Sequence, residues 1–315
     1  MKILSTLFIG TLALILHETS AEAQNVRSFV SSTGLESNPC SRPLPCRTFA
    51  GAIVKTNPGG EINTLDPAGY GPVTITKSIS IVNGLGEAGV LVAPNGTGIT
   101  ISAGPDDKIN LRGLIIEGAA AGSTGIKFNS GKSLIIENSV VRNMTGNGIE
   151  FNPIASSNLA ISNTLVSDND GDGIVVSPTG AGIVKTMFNR IQIYNNGRDG
   201  LVIDGGNSTG TVKATVADSV SANNHGGGFS SFSATDKAAP LVMLIRCVAA
   251  NNNVNGIFIA GGTSTTRIGQ TTLSGNTTGW AGFRTSGKLL SYGDNYIDEN
   301  DNINAAPSTP AEAKK

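Results

Sequence analysis

The sequence predicts an all-β protein in which one chain coils into a parallel β-helix, a solenoid of about eight or nine turns. Three observations carry that prediction. A glycine followed by an apolar residue returns at Gly125-Ile126, Gly148-Ile149, Gly173-Ile174, Gly200-Leu201, Gly228-Phe229 and Gly256-Ile257, at intervals of about 23 to 28 residues. Short runs of alternating apolar and polar residues lie between these glycines. Asparagine-rich turns separate the runs and stay in phase from one repeat to the next. A leucine-rich repeat would need a leucine-dense consensus of about 20–29 residues, which is absent. A jelly roll would not hold polar columns in phase over successive turns.

The elements follow in chain order. Residues 1–23 read as a signal peptide, with Lys2 as the basic start, an apolar stretch from Ile3 to Leu16, and Ala21-Glu22-Ala23 as the cleavage site. That stretch falls short of the roughly 20 apolar residues a membrane span needs, and no later segment offers them. The expectation is an exported protein that does not span a membrane. Residues 24–70 read as an N-terminal cap. Val26 to Ser31 is a first strand, and Cys40 and Cys46 close a small disulfide loop in an oxidising compartment. Arg47 to Lys55 has apolar residues at Phe49, Ala50, Ile53 and Val54, the spacing of a short helix. Asn57-Pro58-Gly59-Gly60 ends it, a strand runs from Glu61 to Leu65, and Asp66 to Gly69 turns. Such a helix would cover the open end of the stack, where apolar interior and strand edges are exposed.

Residues 71–300 read as the coils. Val73, Ile75, Ile79 and Ile81 face inward first, followed by Ile99, Ile101, Leu111, Leu114 and Ile116. After each repeat glycine, Ile126 and Phe128 superpose on Ile149 and Phe151, Ile174 and Val176, Leu201 and Ile203, and Ile257 and Ile259. A second inward set aligns Leu134, Ile136 and Val140 with Leu159, Ile161 and Leu165. Met187 and Ile191, Val216 and Val220, and Leu244 and Val248 continue it. Two polar columns sit at the turns: Asn138, Asn163, Asn189, Asp218 and Arg246, then Asn143, Asp168, Asn195, Asn223 and Asn251. Asparagine tolerates left-handed backbone and its amide bonds the coil above or below, so both columns read as scaffold. From residue 301 to 315 the chain has too little apolar content to repay ordering and reads as a disordered tail. No barrel-forming segment follows residue 300.

These features resemble the right-handed parallel β-helix proteins of the pectin-lyase-like superfamily, above all exported bacterial members of unassigned activity. The resemblance spans residues 26–300 and rests on the cap RTFAGAIVK, the Gly-Gly turn, TLDPAGY and the coil repeats. It implies a right-handed coil, which the general handedness of parallel crossovers also favours. It implies a secreted, periplasmic or cell-surface location in a bacterium. Pectate and pectin lyases, polygalacturonases, alginate epimerases, carbohydrate-binding tail proteins and adhesins share the superfamily, so fold alone does not choose a chemistry.

Composition narrows the choice. Without Lys2, Glu18 and Glu22 of the signal segment, the 22 basic and 23 acidic side chains balance, which leaves no electrostatic footprint for nucleic acid. Charged residues are only 14% of the chain, so its surface is built of Ser, Thr, Asn and Gly, suited to a polysaccharide or cell-envelope glycan. Outward residues after the repeat glycines are Lys127, Glu150, Val175, Val202, Ser230 and Phe258. The next outward column, Asn129, Asn152, Ser177, Asp204 and Ala260, begins as a polar stripe, and its first four members are the candidate glycan-binding residues. Tyr194, Phe258 and Trp280 are the candidate exposed aromatics, with Trp280 near the last coil more suited to capping it.

Catalytic constellations are sparse. Asp168, Asp170 and Asp172 before Gly173 match the first half of a calcium loop, but its twelfth position is Thr179 rather than Glu. Calcium is therefore the alternative to an absence of cofactors. Arg190, Arg198 and Lys213 are the candidate basic residues near that turn. The aspartate motifs of polygalacturonases are missing: Asn163-Thr164 is followed by Leu165, and His225 sits in Asn-His-Gly-Gly-Gly. His225 reads as a turn residue and Cys247 as an unpaired, partly buried thiol. The leading expectation is a monomeric, non-catalytic protein bound to glycan or envelope surface. The alternative is a polysaccharide lyase or related enzyme acting on acidic polysaccharide.

Overall fold

A computed structural model describes residues 25–302 and 307, except 85, 263 and 284–286. The signal segment and nearly all of the tail lie outside these residues. Each turn of the chain lays down three short strands, and like strands of successive turns pair in parallel to make three sheets. Sheet I has nine strands, from Val73–Ile75 to Thr278–Phe283, and receives the chain after each repeat glycine. Sheet II has eleven, from Asn25–Val30 to Lys288–Ser291, and sheet III has ten, from Ala68–Gly69 to Tyr296–Ile297.

The core is one continuous column of stacked side chains. Ile126, Phe128, Ile149, Phe151, Ile174 and Val176 are buried in sheet I, as are Leu134, Ile136, Leu159 and Ile161 in sheet II. Phe128 stacks on Phe151 with ring centroids 4.4 Å apart. The inward set differs from expectation in sheet III and at one place in sheet II. Val140, Leu165, Val220 and Val248 face outward, and Val141, Val166 and Ala249 fill the core. Met187 is 53% exposed while Phe188 is fully buried. One left-handed residue joins sheets II and III, and that corner breaks the period-two alternation, so parity carried across it puts the sheet III side chains on the wrong face, whereas Met187 precedes its corner and is turned outward by the register that pairs Ile161 with Phe188.

The corner residues are Asn138, Asn163, Arg190, Asp218, Arg246 and Gln270, all with φ between 48° and 53°. Arg190, not Asn189, is the third member; Asn189 closes a sheet II strand. Behind the corner runs a buried hydroxyl column in which Ser139, Thr164 and Ser219 each donate to the carbonyl two residues back. Cys247 takes the same place, its thiol 3.4 Å from the Ile245 carbonyl oxygen. Its lack of a disulfide partner is thus explained by its position in the column, and burial pushes its pKa up to about 11.

The second corner, between sheets III and I, also uses left-handed residues: Asn143, Asp168, Asn195, Asn223 and Asn251. The stacking asparagines are their next neighbours. Asn169, Asn196, Asn224, Asn252, Asn276 and Asn300 form a buried ladder, each Oδ1 from Asn196 onward accepting from the preceding Nδ2 at 2.8 to 3.0 Å. Those oxygens also accept main-chain N–H groups of the preceding coil, which would otherwise be buried without partners.

The cap closes the N-terminal end. Helix α1 spans Phe49–Lys55, and Thr48 caps it by accepting from the Gly51 N–H at 3.0 Å. Its buried face is Phe49, Ala52 and Ile53, whereas Val54 is 63% exposed. No separate turn follows the helix: the chain passes directly into a strand, Thr56–Thr64, whose pairing with Asn25–Val30 is bulged. Cys40 and Cys46 form the expected disulfide, with Cα atoms 4.6 Å apart. Asp66 ties the cap together, accepting from the Ser32 N–H at 2.9 Å and from the Tyr70 hydroxyl at 2.7 Å.

Candidate functional site

Strand register places both expected outward rows on the face of sheet I. Lys127 lies beside Glu150, which is followed by Val175, Val202, Ser230 and Phe258, one per coil. The row begins charged: Lys127 and Glu150 pair at 3.4 Å, and Asn147 donates to Glu150 at 3.0 Å. It then turns apolar. Val202 and Ser230, expected to face outward, are only 7% and 4% exposed, so the middle of this row is closed to solvent.

The second row lies two residues further along: Asn129 and Asp204 are within their strands, and Asn152 and Ser177 directly follow theirs. Asn129 donates to Ser102 at 3.1 Å, and the Ser177 hydroxyl donates to Asp204 at 3.4 Å. Asp204 also accepts the Gly206 N–H at 2.7 Å. The Asn152 Oδ1 is buried and has no hydrogen-bond partner among the described residues. Phe232 follows Asp204 in this row and precedes Ala260. It lies edge-on to Phe258 with ring centroids 5.6 Å apart. Sequence superposition missed Phe232 because its strand, Phe229–Phe232, carries serine at both middle positions and lacks the usual alternation. The face therefore runs from an ion pair through amides and a carboxylate to an aromatic pair.

The acidic turn is used differently from expectation. Asp168 accepts from Asn195 at 3.0 Å, in a rung between coils. Asp170 is exposed, and its N–H donates to the Met144 carbonyl. Asp172 is buried; its N–H donates to Asn147 Oδ1 at 2.8 Å, and its own Oδ1 accepts the Asp199 N–H at 2.9 Å. Asp199 in turn accepts the Gly227 N–H at 2.6 Å. Burial raises the Asp172 pKa; the Asp199 N–H and the Arg198 charge, at 3.9 Å, oppose the rise, and the Asp199 carboxylate adds a smaller push in the same direction as burial. Two of the three carboxylates are engaged by scaffold donors, a poor fit to a calcium site. Among the described residues no group of three or more His, Cys, Asp or Glu side chains is placed to hold a metal.

The basic candidates disperse. Arg190 stands at the corner of sheets II and III, where its charge acts on Asp218, and Lys213 lies on an exposed position of sheet II. Of the three, Arg198 alone is paired with Asp172. His225 is exposed in its turn. Tyr194 is half-buried on sheet III, and Trp280 packs against the core near its C-terminal end.

Comparison with known proteins bears on the fold. Residues 73–209 match the family described as the right handed beta helix region. Pectate lyase Pel9A superposes with a TM-score of 0.62 at 18% identity, over 84% of this chain and 74% of that one. A double mutant of the periplasmic alginate epimerase AlgG gives 0.55 at 13% identity, over 76% and 60%. The Dettilon tailspike protein gives 0.51 at 13% identity, over 84% and 58%. The chain thus spans about three fifths of the epimerase and of the tailspike. No curated protein matches the sequence. The protein therefore has the fold of a right-handed parallel β-helix.

Proposed function

We propose that this is an exported protein that binds a linear glycan along the outer face of sheet I, without catalysis. The supporting observation is the row Asn129, Asn152, Ser177 and Asp204, which places one half-buried polar side chain per coil on that face. Coils repeat at about 4.8 Å, comparable with the length of one sugar unit in an extended chain. Phe232 and Phe258 supply an aromatic platform at the end of the row. Among the similar structures, the names of the lyase and the epimerase refer to pectate and alginate, which makes uronate polymers the first ligands to test. The disulfide is in keeping with an oxidising compartment.

A glycan array probed with the mature protein tests this reading. Binding to at least one polymer, weakened by Asn152→Ala and by Phe258→Ala, supports it; absence of binding across neutral and acidic polymers rejects it. A lyase reading survives in altered form, with Arg198 rather than Arg190 beside Asp172. Formation of unsaturated uronate products that is abolished by Asp172→Asn would establish that alternative instead.

A further inference from the structure

The outer corner between sheets II and III forms a groove of about 610 Å³, away from sheet I. Its rim is the left-handed row Asn138, Asn163, Arg190 and Asp218. Its floor is the outward row of sheet III, Val140, Leu165, Gln192 and Val220, stacked in register. The groove therefore repeats one polar side chain and one mostly aliphatic contact per coil, over four consecutive coils.

Apart from Asp218, which pairs with Arg246, the rim side chains are not tied into the scaffold by hydrogen bonds. At the other left-handed corner Asn143 donates to Glu117 at 2.7 Å and Asn195 to Asp168 at 3.0 Å. At this corner the side chains of Asn138, Asn163 and Arg190 make no hydrogen bond within the described chain. The backbone does not require arginine either, because left-handed geometry favours Gly, Asn and Asp. Arg190 and Asp218 leave the lining near neutral, and Arg246 engages Asp218 through two bonds of 2.6 and 2.9 Å. The groove contains no aromatic ring.

We infer that this groove is a second binding site, for a linear neutral polysaccharide of about four sugar units. The coil repeat of about 4.8 Å sets the spacing of both rows, whereas an extended peptide advances about 3.3 Å per residue and falls out of step with it. Hydroxyls along one edge of a sugar chain meet the amides and the guanidinium, and ring C–H faces lie on Val140, Leu165 and Val220. The inference extends the glycan reading of sheet I to another face but has its own residues.

Native gels containing soluble xylan, glucomannan or mixed-linkage glucan test it, with alginate and polygalacturonate as the acidic arms. Glycine at Asn163 and Arg190 removes the side chains while suiting φ of 48° and 53°, so the double variant N163G/R190G keeps its fold. Thermal unfolding verifies that. The expected result is retardation by at least one neutral polymer, weakened about tenfold in the double variant and unchanged by Asn152→Ala. The inference is overturned if no neutral polymer retards the protein, or if retardation is insensitive to the double variant. Loss of retardation only in Asn152→Ala would place the binding on sheet I and leave this groove without a ligand.

Discussion

Replacing Asn224 by leucine removes one rung of the buried ladder with little change of shape. Asn224 is fully buried and makes four side-chain bonds. Its Oδ1 accepts from the Asn196 N–H at 3.1 Å and from Asn196 Nδ2 at 2.9 Å; its Nδ2 donates to Ser221 Oγ at 3.1 Å and Asn252 Oδ1 at 2.9 Å. After the substitution Ser221 still bonds the Gly228 carbonyl, and Asn252 Oδ1 still accepts the Asn224 N–H. The two Asn196 donors are stranded in the core. Each buried donor without a partner costs about 1–3 kcal/mol, for a total of roughly 2–6 kcal/mol. That is a large share of the ~5–15 kcal/mol by which folded proteins are usually stable. Urea unfolding followed by far-ultraviolet circular dichroism reads the loss as a lower midpoint. The neighbouring Asn223 is the control: it is exposed with φ of 58°, and Asn223→Gly should move stability by no more than about 0.5 kcal/mol. A loss below about 1 kcal/mol for Asn224→Leu, or equal losses at the two positions, would refute the ladder as a source of stability.

Three further outcomes are expected. Ile161→Asp places a charge between Ile136 and Phe188 in the stack, and should cost more than about 4 kcal/mol, seen as loss of the β spectrum or of soluble protein. Replacing Cys40 and Cys46 by serine opens a short loop and should destabilise the cap by about 2 kcal/mol, measurable by thermal unfolding with and without reductant. Asp172 has a folded-state pKa raised above its ordinary 3.8, so its contribution is greatest below that value and is lost as pH rises through the folded pKa. Asp172→Asn should therefore be neutral or stabilising at pH 7 relative to the parent, with the difference shrinking toward pH 4; a variant less stable at pH 7 than at pH 4, relative to parent, would contradict the assignment.

The coil was legible in the sequence because its physics is local. Ile126, Phe128, Ile149 and Phe151 alternate within strands, and the repeat glycines set the phase, so the inward rows of sheet I followed directly. The cap helix was equally local, though Ala50 and Val54 of its expected apolar set are exposed and Ala52 is buried instead. What sequence left undecided lies beyond the corners. A single left-handed residue changes parity, so Val140 and Val141 are interchangeable in pattern but not in space. The same holds for the doublets Asn195-Asn196, Asn223-Asn224 and Asn251-Asn252: both members suit a turn, and only the stacked coils select the second for the core. The candidate site divides in the same way. Rows along one sheet could be read from alternation, whereas the separation of Arg190 from Asp172, the pairing of Asp172 with Arg198 and the groove at the outer corner depend on how three sheets close around one axis. Sequence records neighbours along the chain; a solenoid also makes neighbours of residues one full coil apart, and their hydrogen bonds are set only when the coils stack.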